Sequence, residues 1–276
     1  MDTNRIEVEE SLFLNINGGI CEYNYLVSTQ LKTISLPCMN TKCKLSIILP
    51  CYNPGLGWLN SIQAFFCRIR EQLGNIQLII VNDGSLMNVS QLDLESTFRK
   101  QDDIKFISYS TNQGKGYALR EGVKIAEGEM VIYTDIDFPY THESFLKVYN
   151  ELISGKADVV IGVRGEEYYT HLPKARVRIS KILRLFIKFF LRIPTDDTQC
   201  GLKGFNQRGK EVFLQTSINR YLFDLEFIFL SARKKLNIYT VDVELRPEVI
   251  LSKMNWKILT QESGNFLKIF FRSIFY

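Results

Sequence analysis

From Lys44 onward the chain alternates short unbroken apolar runs with longer stretches in which apolar residues recur every three or four positions. KLSIILP (44–50), IQLIIV (76–81), IKFISY (104–109), MVIYTD (130–135) and ADVVIGV (157–163) have the length and composition of strands. Between the first two, Trp58, Ile62, Phe65, Phe66, Ile69 and Leu73 fall at helical spacing, which predicts a helix over 58–73. Further helices are expected near 89–100, 116–127 and 143–154. Strands without polar alternation are buried on both faces, and their alternation with helices predicts a parallel sheet covered on both sides. Ahead of this region, 11–27 alternates around Asn17-Gly18-Gly19 as a hairpin does, and 28–44 reads as a connector. No repeat or low-complexity tract breaks the pattern. The expected organisation is an N-terminal extension over 1–43, one α/β domain over 44–250, and a C-terminal amphipathic tail over 251–276.

Polar clusters close several of the predicted strands, and ligands of such sheets bind outside the carboxyl ends of the strands. Pro50-Cys51-Tyr52-Asn53, Asn82-Asp83-Gly84-Ser85 and Asp135-Ile136-Asp137 all stand there. In an extended segment Asp135 and Asp137 would project to the same side. Like charges so close are unfavourable without a cation or donors between them. The same triplet also fits a strand exit with two solvated acids, and NDGS by itself fits a tight turn. NQGKG (112–116) is a Gly-rich loop opening a helix, where backbone N–H groups suit a phosphate or ribose. It lacks the GK[ST] ending of a Walker A loop, and a lone Gly-x-Gly also serves as a simple turn.

Charge changes the picture in the second half. The net charge is +4, yet Lys and Arg outnumber Asp and Glu by 21 to 13 over 151–276 and are outnumbered 13 to 17 over 1–150. KARVRISKILRLFIKFFLR (174–192) holds seven Lys/Arg and no acid. On a helical period Lys181, Arg184, Lys188 and Arg192 gather on one side, opposite Ile179, Ile182, Leu183, Phe186, Phe189 and Phe190. That is the pattern of a helix lying in a membrane interface. A core-facing helix with snorkelling basic residues and a nucleic-acid patch are the competing readings. FLKIFFRSIFY (266–276) is a candidate second interfacial element. The six cysteines form no CxxC pair or metal-ligand spacing and fit small core residues of a reduced, cytosolic protein. His142 and His171 build no zinc site. MDTNRIEVEE is not a signal peptide, and no run reaches the roughly 20 apolar residues of a spanning helix, so no membrane crossing is expected.

LPCYNP, VNDGS, NQGKGYALREG and YTDID occur in this order, each closing a strand. In this the chain resembles the inverting, nucleotide-sugar-dependent glycosyltransferases of family 2, which have the GT-A fold. DTQCGLKGF (197–205) followed by RYLFDLEFIFLSAR (220–233) is similar to the dolichyl-phosphate β-glucosyltransferases and other polyprenyl-phosphate glycosyl- and mannosyltransferases. The resemblance covers roughly 44–250. It implies that Pro50, Tyr52, Asn53 and Asp83 hold the base and ribose of a nucleotide-sugar donor, with Gly114 and Lys115 beside its phosphates. Pro54 stands where the family motif often has an acid. The resemblance further implies that Asp135 and Asp137 bind Mg2+ or Mn2+ on the donor diphosphate. Pro139 occupies the position of the Gln found in dolichol-phosphate mannosyltransferases, which leaves a third protein ligand unassigned. Arg164, Arg176, Ser180 and Gln199 would meet the acceptor phosphate. Asp224 and Glu226 stand where family 2 enzymes often keep acids near the acceptor; a helix N-terminal pair favoured by the dipole is the alternative.

The expectation is therefore a peripheral enzyme on the cytoplasmic face of a membrane. It transfers a hexose, with glucose from UDP-glucose first among the donors, to a polyprenyl phosphate with inversion, and nucleic acid is not a partner. Two other readings stand beside it. One is a transferase of polysaccharide synthesis acting on a sugar hydroxyl, with Asp224 or Glu226 as base. The other is a non-catalytic membrane-surface module that binds nucleotide sugars.

Overall fold

The computed structural model describes residues 13–17, 20–27, 30–37, 44–87, 89–98, 103–165, 195, 197–247 and 256–275. The basic segment 174–192, with Arg176 and Ser180, lies outside them. Residues 1–42 and 43–276 form two compact units. In the first, β1 (Phe13–Asn17), β2 (Ile20–Val27) and β3 (Gln30–Pro37) make an antiparallel three-stranded sheet. β1 and β2 pair antiparallel up to Asn17 with Ile20. The stretch 28–44 is not merely a connector. Leu31, Thr33 and Ser35 alternate with Lys32, Ile34 and Leu36, so neither set is uniformly apolar, and β3 emerges only through pairing with β2.

The second unit is built on β4 (Leu45–Cys51), β5 (Ile76–Asp83), β6 (Asp103–Tyr109), β7 (Met130–Tyr133), β8 (Val159–Arg164), β9 (Lys203–Phe205) and β10 (Ile238–Val243). Their order in the sheet is β10-β8-β9-β7-β4-β5-β6. All neighbours run parallel except β9, which is antiparallel to both β7 and β8. The continuous apolar strands divide their side chains between two faces. Ile47 and Leu49 join the core under α1 (Trp58–Leu73), α2 (Gln91–Thr97) and α4 (His142–Ile153), while Ile48 joins the opposite core. That second core is covered by α3 (Lys115–Ile125), α5 (Gln207–Phe213), α6 (Phe223–Arg233) and α7 (Trp256–Phe275).

Three expectations change. β7 ends at Tyr133, so Asp135 is not part of a strand. The tail is not separate from the sheet's core, because Ile269 of α7 is buried in it and Arg272 reaches the buried Glu226 at 2.8 Å. Of the cysteines with described side chains, Cys51 and Cys200 are core residues but Cys67 is exposed, on the outer face of α1.

Candidate active site

The carboxyl ends of β4, β5, β7 and β8 open on a cleft of about 940 Å3. Its walls bring together Pro50, Tyr52, Asn53, Asp83, Gly114, Lys115, Asp135, Asp137, Arg164 and Gln199, residues spread over 150 positions of sequence. Two loops of the rim are tied to each other. The Asn53 amide donates to Ser85 Oγ at 2.9 Å and Asn53 Oδ1 accepts from the Leu86 amide at 3.0 Å. Asn53 sits at φ +45°, a left-handed conformation that asparagine tolerates better than most residues. Cys51 beneath them is buried, which pushes its thiol up to about 12, against the weaker opposing effect of Ser85.

Asp135 and Asp137 meet by a turn and not by strand alternation. The Phe138 amide closes it on Asp135 O at 3.0 Å, and Phe138 takes φ +44°. For a bulky residue that conformation is costly. The Phe138 ring is buried and stacks on Phe65 with centroids 4.1 Å apart, which holds the turn in place. Burial, then the charge of Asp135, hold the Asp137 carboxyl above its usual range. Asp135 accepts from Lys115 Nζ at 2.5 Å. Burial works against that ammonium, but the charges of Asp135 and Asp224 outweigh it and keep the Lys115 pKa above normal. On its other side Asp135 lies against Gly201, where any Cβ would stand 2.3 Å from Asp135 Oδ2. Gly201 is itself fixed, its amide donating to Tyr140 Oη at 2.9 Å.

The Gly-rich loop departs from expectation. Four of the amides in and just after it are taken by the chain itself. Those of Gln113 and Gly114 donate to the Asp83 carboxylate at 2.7 and 2.9 Å, joined by Asn112 Nδ2 at 2.9 Å. Those of Gly116 and Tyr117 donate to Asn219 O at 2.7 and 3.3 Å. A carboxylate and a carbonyl of the chain itself thus take the donors that an N-terminal helix turn usually offers an anion. Gly114, at φ +104°, has Asn219 O only 2.5 Å from where a Cβ would lie. The loop lines the cleft with Asn112, Gly114 and Lys115, of which Lys115 carries the charge.

Arg164 lines the cleft, but its guanidinium is forked onto Asp197, with Nε and Nη2 donating at 2.8 and 2.7 Å. Burial alone would raise the Asp197 carboxyl; the bonds and charge of Arg164 outweigh it and hold the pKa below the usual range. Asp158 does not pair with Arg164; it takes Arg208, Asn206 and the Asn237 amide, each at 2.9 Å.

Asp224 and Glu226 depart furthest from their expected place. Both stand in the first turn of α6, as the sequence reads, yet neither lines the cleft. Asp224 is buried, bonded to Tyr133 Oη at 2.5 Å and paired with the fully buried Lys203 at 2.8 Å. Glu226 is buried and accepts from the amides of Ser217 and Ile218, from Ser217 Oγ and from Arg272. Both carboxylates are thus engaged by the chain itself.

Sequence reasoning missed Asn112, Tyr140, Asp197, Lys203, Arg220 and Tyr221. The last two reach the cleft from the loop before α6. Asp197 and Lys203 lie inside DTQCGLKGF, so the segment was visible while its internal chemistry was not. Tyr140 ends the same turn that carries the acids, and nothing in its spacing marks it.

The family model described as "Glycosyl transferase family 2" matches residues 46–213, more than half of the chain. The dolichyl-phosphate β-glucosyltransferase of Saccharomyces cerevisiae is 28% identical over 231 residues, covering 76% of this chain and 69% of that protein. The Dictyostelium discoideum enzyme of the same name is 26% identical, over 72% of this chain and 64% of its own length. The human one is 25% identical over 85% and 74%. The chain thus spans between about three fifths and three quarters of the length of these relatives. Among solved structures, glucosyl-3-phosphoglycerate synthase from Mycobacterium tuberculosis in complex with UDP has the same fold, with a TM-score of 0.60 at 16% identity, over 84% of this chain and 80% of that one. The same synthase has also been solved with Mn2+, UDP and phosphoglyceric acid, at a TM-score of 0.58 and 15% identity, over 84% and 78%. The mostly parallel sheet, the cleft at its carboxyl edge and the family match lead to one conclusion: the chain belongs to glycosyl transferase family 2 and is a glycosyltransferase of the GT-A fold.

Proposed function

We propose that the protein transfers a hexose, glucose from UDP-glucose first among the donors, to a polyprenyl phosphate with inversion. The observation that carries this reading is the convergence of Asp83, Asp135, Asp137 and Arg164 on one cleft at the carboxyl edge of the sheet. The acid pair fits a hard divalent cation, since oxygen ligands suit Mg2+ and Mn2+, which commonly take one or two carboxylates plus substrate phosphates. Burial, then the charge of Asp135, hold Asp137 above its usual range, and such a cation relieves the second of these. When bound, the metal supplies Lewis-acid neutralisation of charge on the departing nucleoside diphosphate. Tyr52, half exposed at the rim, and Asp83 stand where a nucleoside would enter.

The acceptor needs no protein base. A phosphate monoester with a second pKa near ~6 is largely dianionic at neutral pH, so holding it in line with the anomeric carbon supplies much of the rate. A sugar hydroxyl would need a base, and the two acids considered for that role, Asp224 and Glu226, are engaged inside the fold. Arg164 would act on the acceptor phosphate only in concert with Asp197, and Arg176 and Ser180 complete that set as expectations from the sequence. A peripheral position on the cytoplasmic face accords with the basic excess of 174–192. Among the described residues no helix is long and apolar enough to cross a membrane.

The test offers a panel of nucleotide sugars to wild-type protein and Asp137→Asn, with polyprenyl phosphate in anionic vesicles, with and without EDTA. Wild type should float with the vesicles at low salt and form a lipid-linked hexose. EDTA or Asp137→Asn should lower turnover by at least about 10²-fold, as other electrostatic deletions do. Turnover in EDTA close to normal removes the metal from the reading. Hexose appearing only on added oligosaccharide removes the lipid phosphate.

A further inference from the structure

Lys115 and Asp135 form an ion pair at the point where the preceding reading, on which this inference rests, puts a cation. Three observations define what the pair can do. Asp135 is bounded on one side, because its Oδ2 lies against Gly201 with no room there for even a methyl group, and Gly201 is bonded to the buried Tyr140. Lys115 stands at the end of a flexible four-carbon stem and keeps part of its surface in the cleft. The amides of Gln113, Gly114, Gly116 and Tyr117 are committed to Asp83 and Asn219, so the charged group that the loop offers a diphosphate is this side chain. A carboxylate oxygen bonded to an ammonium at 2.5 Å cannot at the same time hold a divalent cation without setting two positive groups against each other.

We propose that Lys115 is a built-in counter-ion that occupies the cation position at Asp135 until the donor arrives. The ammonium then swings from Asp135 to the donor diphosphate as the cation enters between Asp135 and Asp137. Cation and nucleoside diphosphate bind as a unit. Each alone meets an obstacle: the cation meets the ammonium, and the diphosphate meets the unneutralised acid pair. By linkage, the factor by which the diphosphate tightens the cation equals the factor by which the cation tightens the diphosphate. In the empty protein the ammonium offsets one of the two charges of the acid pair.

The experiment measures Mn2+ affinity by titration calorimetry and by the electron paramagnetic resonance signal of free Mn2+, with and without UDP. It uses wild type, Lys115→Met and Lys115→Arg. Met keeps the length of the stem and removes the charge; Arg keeps the charge. Without UDP, Lys115→Met should bind Mn2+ roughly tenfold more tightly than wild type, and Lys115→Arg should stay as weak as wild type. UDP should tighten Mn2+ binding in wild type by a larger factor than in Lys115→Met. Equal Mn2+ affinity in wild type and Lys115→Met without UDP, while both bind Mn2+ with UDP, overturns the counter-ion role and leaves the metal reading intact. If Mn2+ is bound by none of the three proteins even with UDP, the metal reading falls and this inference falls with it. Melting temperatures close to that of wild type show that the variants are folded.

Discussion

Lys203 is the residue that sequence reasoning would least expect where it is. It is fully buried in β9, and its ammonium is neutralised by Asp224 and by the Cys200 carbonyl. Isolated, either charge would be strongly disfavoured in such a setting; together, with Tyr133 Oη on the same carboxylate, they hold the 200–203 backbone behind Gly201 and so behind Asp135. Lys203→Met removes one partner and leaves a buried carboxylate alone, which should destabilise the protein by about 3–5 kcal/mol. Adding Asp224→Asn should recover part of that loss, because the stranded charge disappears. Urea denaturation of wild type, the two single variants and the double variant at pH 7 gives the coupling. Additive losses would mean that the pair is not an energetic unit. Asp224 was legible as a functional-looking acid in FDLE. Its partner was not, because nothing in the spacing of residues 203 and 224 says that β9 lies against α6.

At the scale of elements, the loop into α3 is organised by the chain and not by a ligand. Asp83 at the end of β5 gathers the amides of Gln113 and Gly114, and Asn219 O accepts from those of Gly116 and Tyr117. Arg120 on α3 holds the other side of that contact, donating to Ile218 O at 2.8 Å and to the Asn219 side chain. The loop and the segment before α6 therefore form one wall of the cleft. Gly114→Ala would push a Cβ against Asn219 O at a positive φ. Strain of this kind costs on the order of 1–3 kcal/mol, and the wall would have to shift. The expected result is a lower melting temperature together with weaker UDP binding by calorimetry. An unchanged UDP affinity at a lowered melting temperature would separate this wall from the donor site. The sequence marked NQGKG as a helix opening correctly; it could not reveal that Asp83 and Asn219 spend its amides, since both come from distant strands and loops.

For the whole molecule, the C-terminal helix closes the second core. Ile269 is buried in it, Arg272 reaches Glu226, and Glu262, itself buried, accepts from the Leu222 amide. Glu226 in turn positions Ser217 and Ile218, next to Asn219. A chain of contacts thus runs from α7 to the wall of the cleft. Arg272→Ala should cost about 1–3 kcal/mol, the range for losing a hydrogen bond to a buried charged group. Its effect should extend to UDP affinity in the same direction as Gly114→Ala, though more weakly. Thermal melting and UDP titration of the variant check both. A stability loss with no change in UDP affinity would mean that α7 supports the core alone.

The sequence by itself determined the alternation of β4 to β8 with α1 to α4, because continuous apolar runs and helical spacing are local properties that each segment carries within itself. It also determined that the polar clusters after β4, β5 and β7 share one edge, because a parallel sheet puts every carboxyl end on the same side. It did not determine β9, three residues long and too short for any period, nor the antiparallel insertion that brings DTQCG behind the acid pair. Nor did it determine the turn at Asp135–Phe138, where the packing of Phe138 on Phe65 ends β7 two residues before Asp135. Which carboxylates face the cleft and which are used up inside was decided only by tertiary structure. Asp135 and Asp224 look alike in sequence, but Asp135 meets Lys115 in the cleft while Asp224 is buried against Lys203, contacts that only the folded chain sets.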